Sequence, residues 1–222
     1  MVLNSQKRIA RIVQILREAT KKMAKPAITQ IVAEYGKDPY LILISCLLSL
    51  RAKDSISLPV SRELFKIART PYELAKIPQA TLEKIIYSIG FYRSKARQLL
   101  SVSKELIAKF DGKVPHTQQE LQSIKGIGPK TANIVLAEGF NVPAIAVDTH
   151  VHRISNRLGL VRTKTPEETE QALKKIVPKR YWGVFNALLV TWGQNICEPI
   201  SPWCSKCALL KLCPRIGVKK SR

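Results

Sequence analysis

The residues best suited to chemistry are a lysine and an aspartate, each at the start of a predicted helix. Lys130 follows two glycines and a proline in IKGIGPKTAN, in a first helical turn where the helix dipole disfavours a cation. An amine that is kept partly neutral can attack an electrophilic carbon. Asp148 follows an apolar stretch in AIAVDTH, where a carboxylate can cap the next helix and also move a proton. The pair indicates nucleophilic catalysis, with a solvated lysine and a plain helix cap as the alternatives.

Four of the five cysteines lie close together, with the spacing C-x6-C-x2-C-x5-C. They are Cys197, Cys204, Cys207 and Cys213. Four thiolates that converge from a short segment can hold a tetrahedral zinc ion or an iron–sulfur cluster. Zinc ribbons usually use two separated C-x2-C pairs, so the single pair here suits a larger cluster better, although spacing alone leaves both open. Cys46 lies in an apolar run and is predicted to be a small buried hydrophobe.

The charge of the chain favours a polyanionic partner. Its 37 Lys and Arg residues against 16 Asp and Glu residues give a net charge of +21, which attracts nucleic acid. The most apolar run, residues 40–50, is far shorter than a bilayer-crossing helix. The basic start becomes amphipathic and has no secretory cleavage site. We therefore expect nucleic acid as the leading partner class, with an anionic membrane surface or a ribosomal setting as the alternatives, in a cytoplasmic, nucleoid-associated protein that does not span a membrane.

The elements that position these residues are predicted to be helices, about ten of them from the mean helix length. Ser5 is a candidate cap for a first helix. Its apolar face has helical spacing and comprises Ile9, Ile12, Val13 and Leu16. Capping boxes open three further helices at Thr70, Thr117 and Thr165. Because no segment shows sustained β-type alternation, the sequence predicts an all-α protein.

A helix-hairpin-helix is predicted over residues 117–139. Gly126 and Gly128 provide the backbone freedom for a sharp turn, and Pro129 suits the first position of the second helix. The free N–H groups at such a helix start favour an anion, for example a DNA phosphate. A plain αα-hairpin is the alternative, and the net charge and Lys130 favour binding of the DNA backbone.

Together, these motifs resemble those of a known family. GIGPKTAN (126–133), AVDTH (146–150) and the cysteine spacing occur in the order and spacing of the endonuclease III-like DNA glycosylases of the helix-hairpin-helix superfamily. LLSLRAKD (47–54) and GFYRSKA (90–96) also match segments of that family. The similarity therefore extends over nearly the whole chain.

The resemblance implies a two-lobed all-α fold with DNA bound in the cleft between the lobes. One lobe is expected to be a six-helix barrel over residues 32–142 that ends in the hairpin. The other is expected to combine residues 1–31 with residues 143–222, so that the N-terminal helix packs on the C-terminal part. The four clustered cysteines of this second lobe are expected to hold a [4Fe–4S] cluster, with a mainly structural and DNA-positioning role.

The resemblance also implies a mechanism. The damaged base is flipped out of the duplex, Lys130 attacks C1′ of its deoxyribose, and Asp148 assists deprotonation and stabilises the developing sugar cation. A Schiff base and β-elimination then cut the strand 3′ to the lesion. The expected protein is a monomeric, bifunctional glycosylase/AP lyase for oxidised pyrimidines, acting on duplex DNA with damaged bases or abasic sites. The expected DNA contacts are Arg51, Phe91, Gly126, Gly128, Thr131 and His150.

Three positions depart from the family pattern. Arg51 stands where many members have Gln, which affects how the orphan base is contacted. Phe91 stands where Leu is common, and an aromatic wedge can still intercalate. The loop between the first two clustered cysteines, residues 198–203, lacks its usual basic residues. Other cations are expected to replace them, namely Lys206, Lys211, Arg215, Lys219 and Lys220. Drift at surface or packing positions is the alternative reading of each departure.

Two other functions compete with this one. A mismatch thymine/uracil glycosylase or an adenine glycosylase belongs to the same class of enzyme. Lys130 argues against both, and the expected lack of a long C-terminal extension argues against the second. A non-catalytic DNA-binding module stapled by metal is the alternative of a different class, and it would bind abasic duplex DNA without cutting it.

Overall fold

The computed structural model describes the backbone from Val2 and the side chains from Ser5, in both cases to Arg222. The described residues form helices and no strand, so the all-α prediction is confirmed. Their α-helices are α1 Val2–Ala19, α2 Ala27–Tyr35, α3 Pro39–Ser49, α4 Asp54–Ile67, α5 Pro71–Lys76, α6 Gln79–Ile85, α7 Tyr92–Phe110, α8 Gln118–Ser123, α9 Pro129–Ile134, α10 Thr149–Arg157, α11 Pro166–Ile176 and α12 Trp182–Asn195. None of these helices is both long and apolar enough to cross a membrane.

The chain divides into two compact units. The first contains residues 1–26 and 143–222, of which Met1 lies outside the described residues, and the second contains residues 27–142. The predicted boundary after residue 31 falls inside α2. The structure places all of α2 in the second unit because this helix packs against α3 and α4. Each unit has its own core.

The core of the first unit brings the two ends of the chain together. The predicted apolar face of α1 is buried, from Ile9 to Leu16. It packs with Ile154 of α10, Leu173 of α11 and Trp192 of α12 in one hydrophobic cluster. The cap predicted at Ser5 is wrong, because α1 already begins at Val2 and Ser5 lies within its first turns.

The core of the second unit is built around α3. Residues 40–48 of this helix are all buried, as expected for a helix that is apolar on every side. Asp38 caps its start and accepts hydrogen bonds from the N–H groups of Tyr40 and Leu41 at 2.8 and 3.0 Å. The hydroxyl of Tyr40 bonds that of Ser103 on α7 at 2.9 Å. Helices α2, α4, α7 and α9 surround α3.

The predicted helix starts are present at all three threonines. Thr70 forms a complete capping box with Glu73. Thr117 and Thr165 each accept a hydrogen bond from the N–H of the glutamate three residues later, at 3.2 and 3.1 Å. These caps fix where α5, α8 and α11 begin, and α8 is the first helix of the predicted hairpin.

Candidate active site

The hairpin turn depends on a glycine and on a contact from α7. Gly126 has a φ of +96°, a conformation that strains any residue with a side chain. A Cβ at this position would also lie 2.7 Å from Nε2 of Gln98. That same Nε2 donates a hydrogen bond of 2.9 Å to the carbonyl oxygen of Gly126. The turn is therefore both shaped by its sequence and tethered to α7.

Lys130 lies in the first turn of α9, as predicted, with Pro129 at the first position. The lysine is half-buried. Burial raises the pKa of the Cys46 thiol on α3 to about 12, and the charge of Lys130 opposes that rise, so the ammonium lies near α3. Gly128 is exposed with φ −88°, and a Cβ added there would meet nothing. The conformation of Gly128 therefore does not require glycine, and its backbone faces open space.

Thr131 corrects one predicted DNA contact. Its side chain is only 3% exposed and packs inside the second unit. The reason is its position one residue after Lys130 on α9, where the helix turns its inner face towards the core. A DNA contact at Thr131 would therefore have to be made by its backbone and not by this side chain.

Asp148 belongs to the first unit and caps α10. Its Oδ1 accepts hydrogen bonds from the N–H groups of His150 and Val151, both at 2.9 Å, so the predicted cap is confirmed. The preceding apolar residues are buried, and Nδ2 of Asn186 on α12 donates to the carbonyl of Ala146 at 2.9 Å. The carboxylate is thereby held between a buried extended segment and a helix start.

Two arginines connect α10 to the segment that carries the first clustered cysteine. Arg153 Nη2 donates to the carbonyl of Cys197 at 2.8 Å and contacts Nδ1 of His150 at 3.0 Å. Arg157 Nη1 donates to Sγ of Cys197 at 3.3 Å and to the carbonyl of Glu198 at 2.6 Å. His150, a predicted DNA contact, is thus half-buried against Arg153.

The four clustered cysteines line one pocket, together with Arg157, Trp203 and other residues. Among the described residues, no group of three or more His, Cys, Asp or Glu side chains is arranged to hold a metal ion. Tetrahedral zinc with bonds of about 2.3 Å would require the sulfurs to lie about 3.8 Å apart, whereas a cluster of several irons holds its thiolates farther apart. A pocket lined by four thiols and no carboxylate offers the ligand set of an all-thiolate iron–sulfur cluster, and equally that of a four-cysteine zinc site.

In the cysteine segment, the positively charged side chains lie outside the loop of residues 198–203, the loop in which the family usually has basic residues. Arg222 pairs with Glu198 at 2.5 Å and stacks on the ring of Trp203 at 4.0 Å. Lys206, one of the predicted replacements, lies over the same ring at 4.7 Å. The negative charge of Glu198, the single acid of the loop, is therefore neutralised by Arg222, which was not among the cations predicted from the sequence.

Arg51 and Phe91 both lie in strained, exposed turns of the second unit. Their φ values are +54° and +61°, in the left-handed region that few non-glycine residues adopt. Phe91 is 71% exposed at the start of α7, and Arg51 is exposed in the turn between α3 and α4. Tyr87, also exposed, contacts Tyr92 with ring centroids 5.0 Å apart and ring planes tilted by 58°. Both predicted DNA-contacting side chains are thus accessible.

Sequence reasoning missed three cations that organise these regions, Lys95, Arg153 and Arg157. Lys95 is only 6% exposed and donates to three backbone carbonyls at the end of α3. A signal for Lys95 was present, because it shares the helical spacing of Leu99, Val102 and Leu106 on the apolar face of α7. The arginines carried no comparable signal, since their partners lie about forty residues away, as in the Arg153–Cys197 pair.

An all-α chain with this hairpin and this cysteine segment has recognisable relatives. It matches the family model of HhH-GPD superfamily base excision DNA repair proteins over residues 44–179. It is 49% identical over 176 residues to endonuclease III of Thermotoga maritima, an alignment that covers 79% of this chain and 83% of the relative. The chain therefore belongs to the HhH-GPD superfamily, as one of its endonuclease III-like members.

Two solved structures show the same fold. The endonuclease III chain of a non-covalent endonuclease III–DNA complex superposes with a TM-score of 0.83 and 36% identity, covering 95% of each chain. The endonuclease III chain of a trapped covalent intermediate with DNA superposes with a TM-score of 0.77, also at 36% identity, covering 93% of this chain and 95% of that one.

The packing around Asp148 can be tested at Gly193, a buried residue of α12. A Cβ there would clash with the ring of His150 and approach Nη2 of Arg153 to 3.0 Å. We expect Gly193→Ala to lower the free energy of unfolding by about 2 kcal/mol, as overpacking of a buried site does. Gly183 on the same helix has no atom within 4 Å of an added Cβ, so Gly183→Ala is the matched control. Urea denaturation measures both, and equal stability of the two variants would contradict the described packing.

Proposed function

We propose that this chain is a bifunctional DNA glycosylase and AP lyase of base excision repair that acts on double-stranded DNA. The observation that carries the proposal is the position of Lys130, in the first turn of a helix that follows a sharp glycine turn. The chain is similar to the endonuclease III of a trapped covalent complex with DNA, and a lysine amine is a chemical group that can form such a bond.

Lys130 acts as the nucleophile. The neutral amine attacks C1′ of the deoxyribose while the bond from C1′ to the base breaks and the base leaves. Loss of a proton from nitrogen and opening of the sugar ring give the Schiff base. Removal of a proton from C2′ then expels the 3′ phosphate, which cuts the strand, and water releases the lysine. The first step needs the amine of Lys130 in its neutral form.

Asp148 stabilises the charge that develops on the sugar and takes up a proton. Its Oδ1 is fixed by two backbone N–H groups, so the carboxylate reaches the reaction already oriented. The cap and the catalytic role use the same side chain for different purposes. This dual use explains why Asn186 and the buried run before Asp148 hold the backbone of its segment in place.

The DNA is bound mainly through its phosphates and probed at the lesion by two turns. The exposed backbone at Gly126 and Gly128 approaches a phosphate. Phe91 enters the base stack, and Arg51 contacts the orphan base opposite the flipped nucleotide. The protein works as a monomer on the nucleoid in the cytoplasm.

The four clustered cysteines would hold a [4Fe–4S] cluster, since they line one pocket with four thiols and the chain is similar to endonuclease III. When bound, the cluster cross-links four points of a segment that has little regular secondary structure. Arg157 orients the first ligand through Sγ of Cys197 and holds the carbonyl of the next residue. The cluster thereby keeps the far end of α10 in place.

Replacing the nucleophile tests the proposal most sharply. We expect Lys130→Gln to abolish both strand cleavage and the covalent adduct that borohydride traps on abasic duplex DNA, while the variant still folds. Lys125→Gln is the matched control, because Lys125 is an exposed lysine of the same hairpin. The readout is a shifted protein–DNA band on a denaturing gel. Trapping that persists in Lys130→Gln would remove this lysine from its role.

Asp148 permits a separation of its two roles. An asparagine caps a helix about as well as an aspartate, so Asp148→Asn keeps the melting temperature of the wild type. It cannot carry the charge or take the proton, and we expect base excision to fall by about 10²- to 10⁴-fold. Asp148→Ala is expected to lose about 1 kcal/mol of stability as well. Excision by Asp148→Asn at the wild-type rate would show that the residue only caps α10.

The lesion class is tested with defined duplexes. We propose oxidised or fragmented pyrimidines, and expect cleavage of duplexes that contain thymine glycol, dihydrouracil or an abasic site. Duplexes with uracil or mismatched thymine are the comparison, and preferential cleavage of these would instead support a mismatch glycosylase. Varying the base opposite thymine glycol tests the contact that we assign to Arg51.

The cluster is tested by its iron. Anaerobically purified protein is expected to be brown, with visible absorbance and bound iron and sulfide. We expect Cys207→Ala to lose that absorbance, whereas Cys46→Ala, which removes the buried thiol outside the segment, retains it. A colourless wild type loaded with zinc would contradict the assignment.

A further inference from the structure

We propose that Lys95 is a positioning residue whose ammonium fixes the turn of Arg51, which is one of the two side chains, with Phe91, that are presented to DNA. The inference rests on the proposed function, in which those two side chains probe the lesion. It goes beyond that function because Lys95 is buried and cannot itself touch DNA. Its side chain is 6% exposed, on the inner face of α7.

The ammonium of Lys95 caps the C-terminus of α3. Nζ donates to the carbonyl oxygens of Leu47, Leu48 and Leu50 at 2.9, 3.0 and 2.7 Å. An ammonium has three N–H donors, so these three bonds use all of them. The last carbonyls of a helix lack partners within the helix and carry partial negative charge. A buried cation is therefore well matched to this site.

The same bonds shape the turn that carries Arg51. Leu50, which receives the shortest of the three bonds, directly precedes Arg51 with its φ of +54°. The N–H of Ala52 donates to the carbonyl of Ser49 at 3.1 Å and closes the turn around Arg51. A left-handed non-glycine residue persists only where its surroundings hold it. Lys95 supplies such a restraint from inside the protein.

The backbone of Lys95 shapes the second turn. Its N–H donates to the carbonyl of Phe91 at 3.0 Å, in the first turn of α7. Phe91 is also left-handed, with φ +61°, and points its ring into solvent. One residue thus bonds to both strained turns, through its side chain on one side and its main chain on the other. The main-chain bond does not depend on the lysine side chain, so a side-chain substitution at Lys95 acts on the turn of Arg51 and leaves the bond to Phe91 in place.

Lys95 is not a second nucleophile. Burial lowers its pKa to about 8, which by itself resembles the property of a reactive amine. At pH 7 it is nevertheless mostly an ammonium with all three protons engaged. Its carbonyl partners lie on the inner side of the turn, so no substrate carbon can approach the nitrogen. The geometry is that of a structural cation.

The first measurement is amide hydrogen exchange without DNA. Lys95→Met removes the three donors and keeps most of the length of the side chain, so the carbonyls of Leu48 and Leu50 lose the bond from Nζ and that of Leu47 keeps only the 3.4 Å bond from the N–H of Leu50. We expect exchange in residues 49–54 to accelerate about tenfold, with residues 90–92, α1 and α12 unchanged. Lys104→Met is the matched control, since Lys104 is an exposed lysine of the same helix. Unchanged exchange in residues 49–54 would overturn the proposal.

The second measurement is binding to a duplex with a non-cleavable tetrahydrofuran abasic analogue. We expect Lys95→Met to raise the Kd about tenfold in the wild-type background, and less than twofold in Arg51→Ala/Phe91→Ala. The loss of effect in the double variant is what a positioning role requires. An equal increase in both backgrounds would show that Lys95 only supports the fold, and would overturn the proposal.

Two further outcomes are informative. If Arg51→Ala/Phe91→Ala binds as tightly as the wild type, the DNA role of these turns and the proposal built on it are both overturned. Borohydride trapping at Lys130 tests the proposed function independently of that result. Should Lys95→Met fail to fold, Lys95→Gln, which keeps two N–H donors, replaces it in the same cycle with a smaller expected effect in the same direction.

Discussion

The fold depends on providing hydrogen-bond partners for the backbone N–H and carbonyl groups at the ends of its helices. A helix leaves four N–H groups and four carbonyls without partners within the helix, and an all-α chain has many such ends to satisfy. In this protein the candidate chemistry lies at those ends. Asp148 satisfies the start of α10, Lys95 satisfies the end of α3, and the start of α9 carries Lys130. Helix capping and proposed function thus use the same residues.

In the second unit, α7 contacts three exposed turns, which carry Phe91, Arg51 and Gly126. Phe91 directly precedes the first residue of α7. The side chain of Lys95 donates to the turn that carries Arg51, and the side chain of Gln98 donates to the carbonyl of Gly126 in the hairpin. Three exposed turns are therefore held by one helix over less than three turns of its length. In the first unit α10 has the matching role, because Asp148 caps its start and Arg157 holds the cysteine segment at its end.

Much of this arrangement could be predicted from local sequence. The buried face of α1, the threonine caps and the cap at Asp148 follow from spacing and from side chains that act within three residues of their partners. The hairpin follows from Gly126 and Pro129 in the same way. Local rules succeed here because both partners of each interaction are close together in the chain.

The predictions from the sequence that were wrong or missing have one physical origin, because each of these features depends on packing between segments that are distant in the chain. Thr131 is polar and next to a catalytic candidate, yet the neighbours of α9 in the fold bury it. Lys95 finds acceptors more than forty residues earlier in the chain. The boundary after residue 31 was misplaced because α2 belongs with α3 and α4. A single polar residue on an otherwise apolar helix face is the sequence pattern that indicates such an interaction between distant segments.

The central claim is that Lys130 forms the covalent bond to DNA, and peptide mapping of the borohydride-reduced adduct tests it most directly. A modified Lys130 resists trypsin, so the sugar-bearing peptide is expected to run from Gly126 to Arg153, with the added mass on Lys130. Tandem mass spectrometry locates that mass. The same mass on Lys125, on another lysine or on the N-terminal amine would contradict the account.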